Sequence, residues 1–299
     1  FFDFCMAISA AIFACELSKK EKNDKVFFVT FAAVIMLPTV ILNSAYWGQC
    51  DSIYTTFIIL TLLYLYREKY HRAFMFLGIA FAFKMQTIFI FPFIICFYIY
   101  KKQFSIFELL ITVFTFWISG IGAFVQGRSL LDPFRIYANQ TGTYQYMHVN
   151  FPSFWMFVGN DYEWLKTAAI VMAAGICGMG LYIIMKRKLD CSRPENFVNI
   201  ASWFIWTCVL FLPAMHERYA YPLEILLVIL TCINKDYLKY SSVAILFSLF
   251  TYGNYLFSNG GLDKYIVIIY AGCYLHFTYT ILKKNSKAAT VTDKEMQNE

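Results

Sequence analysis

The chain has 299 residues, of which 60% are hydrophobic, 20% aromatic and only 15% charged, and its formal net charge is +6. Soluble domains carry about 25% charged residues, so this composition excludes an ordinary water-soluble globule. The Lys and Arg residues lie in short clusters between apolar runs, a spacing that excludes a nucleic-acid-binding face and leaves no nucleic acid among the expected partners.

Apolar runs of about 17 residues or more recur along the chain, long enough to cross a bilayer. The expected fold is all-α: a polytopic transmembrane helix bundle over residues 1–282, with about eleven membrane segments of ~20 residues or less. A cytoplasmic disordered tail is expected at 283–299. The basic clusters at 18–25, 67–72, 101–102, 186–193 and 234–239, with the tail from Lys283, mark the cytoplasmic side. The first run, opening at Phe1, must descend toward the first of these clusters. An outward loop and a further span are therefore expected upstream, and the chain reads as a fragment that lacks its N-terminal part. The nine cysteines show no CxxC or metal-ligand spacing. Most sit in apolar runs as small hydrophobes. No metal site and no bound cofactor are expected.

In chain order, the first polar feature is Asp3 in FFDFCMAISAAIF. An acid in an apolar helix faces the bundle or a cavity, where its simplest role is to partner Lys84 or Arg218. NSAYWGQCDS, residues 43–52, follows on the outward side and holds no Lys or Arg. Trp47, Gln49 and Asp51 there have two readings. One is a solvated turn with an interfacial tryptophan. The other is a sugar or acceptor site, in which the indole stacks on a pyranose ring while carboxylate and amide fix hydroxyls.

Residues 73–100 lie between two basic clusters on one side, so they must cross an even number of times. They are too few for two full spans of about 20 residues each. This predicts a short helical hairpin broken near Lys84–Gln86, with Pro92 in its return arm. Broken backbone at membrane depth survives only beside protein or a wet cavity. Lys84 would cost roughly 2.5–3.5 kcal/mol near mid-membrane, which points to binding of an anion such as phosphate.

The loop 125–163 is expected to form short amphipathic helices on the outer interface. Its Arg128, Arg135, Tyr144, His148, Asn150 and Trp155 are either substrate contacts or part of a cover. Asn139-Gln140-Thr141 matches a glycosylation sequon. MHERY, residues 215–219, brings His216, Glu217 and Arg218 to the outer end of two spans. They could form a weak surface ion pair. An outward Arg breaks the positive-inside pattern, however, and beside a His it suits holding a lipid phosphate as it leaves.

Four stretches in one order, AYWGQCDSIYT, AFAFKMQTIFIFPF, YQYMHVNFPSFWMFVG and FLPAMHERYAYP, resemble the GT-C superfamily of polyprenyl-phosphate-sugar-dependent glycosyltransferases. The nearest group is that of bacterial membrane proteins related to the GPI mannosyltransferases. The dolichyl-phosphate-glucose glucosyltransferases are similar more remotely. The resemblance runs to about Tyr279. It implies a GT-C-like fold and a hexosyltransferase, moving mannose or another hexose from a lipid-phosphate donor to a lipid-linked or cell-surface glycan on the outer face. The partners implied are the polyprenyl-phosphate-linked sugar, the glycan acceptor and membrane lipids, in a bacterial plasma membrane or the ER membrane, with no divalent metal required. It assigns Lys84, His216 and Arg218 to the donor phosphate, and Trp47, Gln49 and Asp51 to the sugar or acceptor; Gln86, Tyr144, Asn150 and Glu217 are further candidate sugar or acceptor contacts. Asp51 is the candidate catalytic carboxylate among these residues. The superfamily's main base usually lies in the first outward loop, which would precede Phe1, so Asp51 is expected to be a secondary acid or a sugar ligand. Ser153 stands where related bacterial sequences carry a second Asn, which leaves contact at that position open. Two other readings remain. One is a transporter or flippase of lipid-linked glycans, although one broken hairpin without a matching partner does not make an inverted repeat. The other is a glycan polymerase, whose basic residues would dominate the outer loop.

Overall fold

The computed structural model describes residues 1–18, 24–140, 143–151, 153–257 and 264–296, the side chains of residue 24 and of 284–296 excepted. Most of the first basic cluster, Thr141 of the sequon, residues 258–263 and the last three residues of the tail lie outside the described residues. Among the described residues the fold is α-helical, as composition required, with one pair of two-residue strands.

The chain opens with α1 (Phe2–Leu17) and α2 (Asp24–Ile35), which pack together. Ahead of Pro38 the backbone turns by 46° into α3 (Pro38–Val40) and a π-helical turn, Ile41–Tyr46. The wide turn arises where the apolar run meets Asn43 and Ser44, and single π turns are frequent at functional sites. Gly48, at φ +71°, closes it in a left-handed conformation that costs other residues energy. α4 (Asp51–Tyr66) then begins on Asp51 itself.

Next come α5 (Tyr70–Phe83), a 3-10 turn at Met85–Ile90 and α6 (Phe91–Lys101). The start of α5 and the end of α6 lie together. Lys101 pairs with Glu68 at 2.7 Å, and the Tyr70 hydroxyl donates to Gln103 at 3.1 Å. The segment therefore folds back as a hairpin whose break is at Lys84. α7 (Leu109–Ile118), α8 (Ile121–Val125) and α9 (Asp132–Gln140) follow. Strand β1 (His148–Val149) leads to α10 (Tyr162–Lys186), which is capped by the Asp161 carboxylate accepting from the Trp164 N–H. α11 (Pro194–Phe211), β2 (Met215–His216), α12 (Tyr221–Ile233), α13 (Leu238–Phe257) and α14 (Lys264–Met296) complete the chain. Prolines open α3, α11 and α12, where a missing N–H costs nothing. α14 continues through most of the polar stretch that the sequence leaves unstructured.

The centre is α11 and α12. Every residue from Asn196 to Leu210 and from Tyr221 to Leu230 is buried. These two helices are enclosed on all sides by the rest of the protein.

The count of about eleven membrane segments needs correction. Among the described residues two helices, Tyr162–Lys186 and Lys264–Lys283, are long and apolar enough to cross a membrane. A third arises if the bent pair Lys25–Ile35 and Pro38–Tyr46 is one span. The apolar runs are instead cut, at Lys84 among other places, into apolar helices of 10–17 residues. In the two long helices only 22% and 28% of the apolar window is buried, so their apolar surface faces outward rather than into the protein.

Candidate functional site

The site begins with the π-helical turn, which aims Asn43 inward, and with Asp51 at the first turn of α4. A carboxylate there is stabilised by the helix dipole and the free backbone N–H groups. Asp51 is fully buried. The Asn43 amide donates to its Oδ2 at 2.8 Å, and the Lys84 ammonium bonds its Oδ1. Lys84 reaches that oxygen because the hairpin break leaves it extended, at φ −156° and ψ 131°, just after α5 ends. Its ammonium also lies 5.3 Å from the ring centre of Tyr54 and 5.9 Å from that of Tyr219.

The turn between α11 and α12 brings the second cation. Arg218 bonds Glu217 Oε1 through Nη1 at 2.7 Å, and its Nε stands 3.8 Å from Asp51 Oδ2. The guanidinium lies 5.0 Å over Trp47, whose indole packs on Tyr252 and Tyr255. His216 Nδ1 is 3.8 Å from Glu217 Oε2, and its ring meets those of Tyr144 and Tyr219 at 4.3 and 5.0 Å. β1 pairs in parallel with β2, His148 against Met215 and Val149 against His216, with a further bridge from Asn150 to His216. This pairing fastens the outer loop to the basic turn.

Burial separates the charges by sign. The side chains of Asp51 and Glu217 are 0% exposed, while those of Lys84 and Arg218 keep 13% and 19%. The carboxylates have no exposed surface, and the two cations keep a small one. Burial pushes the Glu217 carboxyl above its ordinary range, against the pull of Arg218. Burial also opposes the charge on Arg218, but Glu217 and Asp51 outweigh it and raise its pKa. His216 is pushed down to about 4, first by burial and then by Arg218 and Lys84. It is therefore a neutral ring at pH 7, not a third cation. Its Nε2 and Glu217 Oε2 are buried without a hydrogen-bond partner, which in a polar cluster marks groups available to a ligand.

Of the residues singled out in the sequence, Trp47, Asp51, Lys84, Tyr144, Asn150, His216, Glu217 and Arg218 come together. Gln49 and Gln86 are half-buried in the same segments, and their side chains make no hydrogen bond among the described residues. Asp3 does not partner Lys84 or Arg218, because it accepts the Ser44 hydroxyl at 2.6 Å. Asp51 has both oxygens engaged and no exposed surface. Arg128 and Arg135 line a groove of about 760 Å³ with Phe83 and Tyr137, and none of the clustered side chains is on its walls. Trp155 is buried and donates to the Phe211 carbonyl at 2.7 Å, a structural contact. Ser153 is buried in the loop just before it. Burial lowers the pKa of His148.

The sequence reading missed Asn43, Tyr54, Tyr219, Tyr252 and Glu224. Asn43 bonds both Asp51 and the Tyr252 hydroxyl. Glu224 is fully buried in α12 and accepts from Ser248. The rule that found Lys84, an ionisable group within an apolar segment, also flags Glu224. Among the described residues no three His, Cys, Asp or Glu side chains are grouped to hold a metal. No family model and no curated protein matches this chain.

Proposed function

We propose that the chain is a multi-pass membrane glycosyltransferase of the GT-C type, moving a hexose from a polyprenyl-phosphate donor to a glycan acceptor at the outward end of the bundle. The observation that carries this reading is the pair Lys84 and Arg218, brought together on Asp51 and Glu217, with the cations keeping some exposed surface and the carboxylates none. Two cations so placed offer charge-assisted hydrogen bonds to a phosphate, and they stabilise the charge that grows on it as it leaves. The neutral His216 adds one donor or acceptor at Nε2 without adding charge.

In the reaction the acceptor hydroxyl oxygen attacks the anomeric carbon and the bond from that carbon to the lipid phosphate breaks. The bonding pair leaves on the phosphate, held by Lys84 and Arg218. The acceptor's proton passes to a base other than Asp51, whose oxygens are taken. Trp47 backs the Arg218 guanidinium, Tyr144 beside His216 offers an exposed aromatic ring suited to a pyranose, and Asn150, Glu217, Gln49 and Gln86 supply polar groups around them. The two long, outward-facing apolar helices support placement in a membrane, a bacterial plasma membrane or the ER membrane. The remaining short helices would then cross inside the bundle or stop part-way.

The test is reconstitution of the full-length protein in vesicles with undecaprenyl- or dolichyl-phosphate sugars. Release of lipid phosphate coupled to sugar transfer is expected. Flipping of a labelled glycolipid with no transfer from any donor would replace the enzyme by a transporter.

A further inference from the structure

We propose a second ligand site: the groove between α10, α11 and α14 holds an acyl chain of an anionic membrane phospholipid, with its headgroup on Lys186, Arg187, Lys188 and Lys283. This inference does not depend on the glycosyltransferase reading. It needs only that α10 and α14 meet a bilayer, and these are the two helices long and apolar enough to do so.

The groove has a volume of about 640 Å³, and its walls include Met172, Ile183, Trp203, Phe211, Tyr274 and Leu282. α10 comes close to α11 at Gly180 but leaves open space at Gly175. At Gly180 an added Cβ would lie 2.4 Å from the Trp203 ring, while at Gly175 it would meet nothing within 4 Å. The polar groups on its walls are already engaged. Thr278 Oγ1 accepts from Trp203 Nε1 at 2.8 Å and donates to the Tyr274 carbonyl at 2.8 Å. The groove thus offers a hydrocarbon surface and no hydrogen bond, which suits a chain of methylenes and not a headgroup or sugar. From Met172 to Ile184 it follows α10 for about 18 Å, at ~1.5 Å per residue, a length matched to a lipid tail lying along the helix.

Charge at one mouth selects the lipid. The groove ends at Leu189, Ile281 and Leu282. Lys186, Arg187 and Lys188 close α10 beside Leu189, and Lys283 follows Leu282. All four are exposed, and none is ion-paired among the described residues; the nearby Asp190 pairs with Arg193. The Lys186 and Lys283 ammoniums lie over Tyr182 and Tyr279, at 5.5 and 5.6 Å. An apolar slot with a collar of unpaired cations at its end is complementary to an anionic phospholipid, and basic sites between membrane helices recognise such headgroups.

The experiment is native mass spectrometry of the full-length protein in detergent, titrated with phosphatidylglycerol and with phosphatidylcholine of identical chains. Wild type is expected to bind phosphatidylglycerol at least about tenfold more tightly. K186Q/R187Q/K188Q/K283Q is expected to bring the two lipids to parity. Gly175→Phe, which fills open space and leaves the cations in place, is expected to weaken both. Equal binding of the two lipids by wild type would overturn the proposal. So would retention of the preference in the quadruple variant, or unchanged binding in Gly175→Phe.

Discussion

At the scale of single residues, Asp51 is the pivot. A carboxylate with no exposed surface is tolerable only because Lys84, Asn43 and Arg218 compensate it. Removing one member of such a pair leaves the other buried and uncompensated, at a cost of about 3–5 kcal/mol. Asp51→Ala should therefore lower thermal stability sharply, and an added polyprenyl phosphate should restore part of the loss by taking over as counter-ion. A stable Asp51→Ala variant that has lost only activity would make Asp51 a base instead. His216 gives a pH signature. Its pKa is about 4 in the fold against 6.5 ordinarily, so on acidification the unfolded chain takes up the proton first. The stability it contributes is complete above pH 6.5 and is lost as pH falls from 6.5 toward 4. His216→Asn should flatten this part of the melting temperature against pH curve. An unchanged slope would contradict a buried neutral ring.

At the scale of elements, the break at Lys84 was legible in the sequence, and the reason is physical. Two basic clusters on one side impose parity on the segment between them, and residues 73–100 are too few for two full crossings. The polar stretch at 43–52 was legible as a turn, but the π-helical geometry at Ile41–Tyr46 was not, because no pattern of residues distinguishes a wide turn from an ordinary helix end. The number of spans was overread for a related reason. Hydropathy measures the length of an apolar run and does not register the bend before Pro38 or the break at Lys84 that cuts the run into short helices. Helix contacts were equally invisible. Gly78 of α5 meets α7 so closely that an added Cβ would lie 2.6 Å from the Thr112 carbonyl oxygen and 2.7 Å from Thr115 Cβ. Small residues permit such approaches between membrane helices. Gly78→Ala should push the helices apart and destabilise the protein by about 1–3 kcal/mol, read as a lower melting temperature. No change on this substitution would place the two helices farther apart than described.

At the scale of the whole molecule, three distant parts of the chain meet at the candidate site: the turn before α4, the hairpin break, and the β2 turn clasped by β1. The order of motifs anticipated their association. The partners of each side chain were not legible. Asp3 turned to Ser44, and Asn43 took a central place, because packing between helices decides these contacts and no local signal records them. The central claim is that Lys84 and Arg218 form a phosphate-binding face. Its most direct measurement is the affinity of the full-length protein for undecaprenyl phosphate, compared with Arg218→Met and with Lys84→Met, each checked for a retained fold. The account expects each loss of a charged hydrogen-bond donor to weaken binding by about tenfold or more. Undiminished affinity in both folded variants would contradict it.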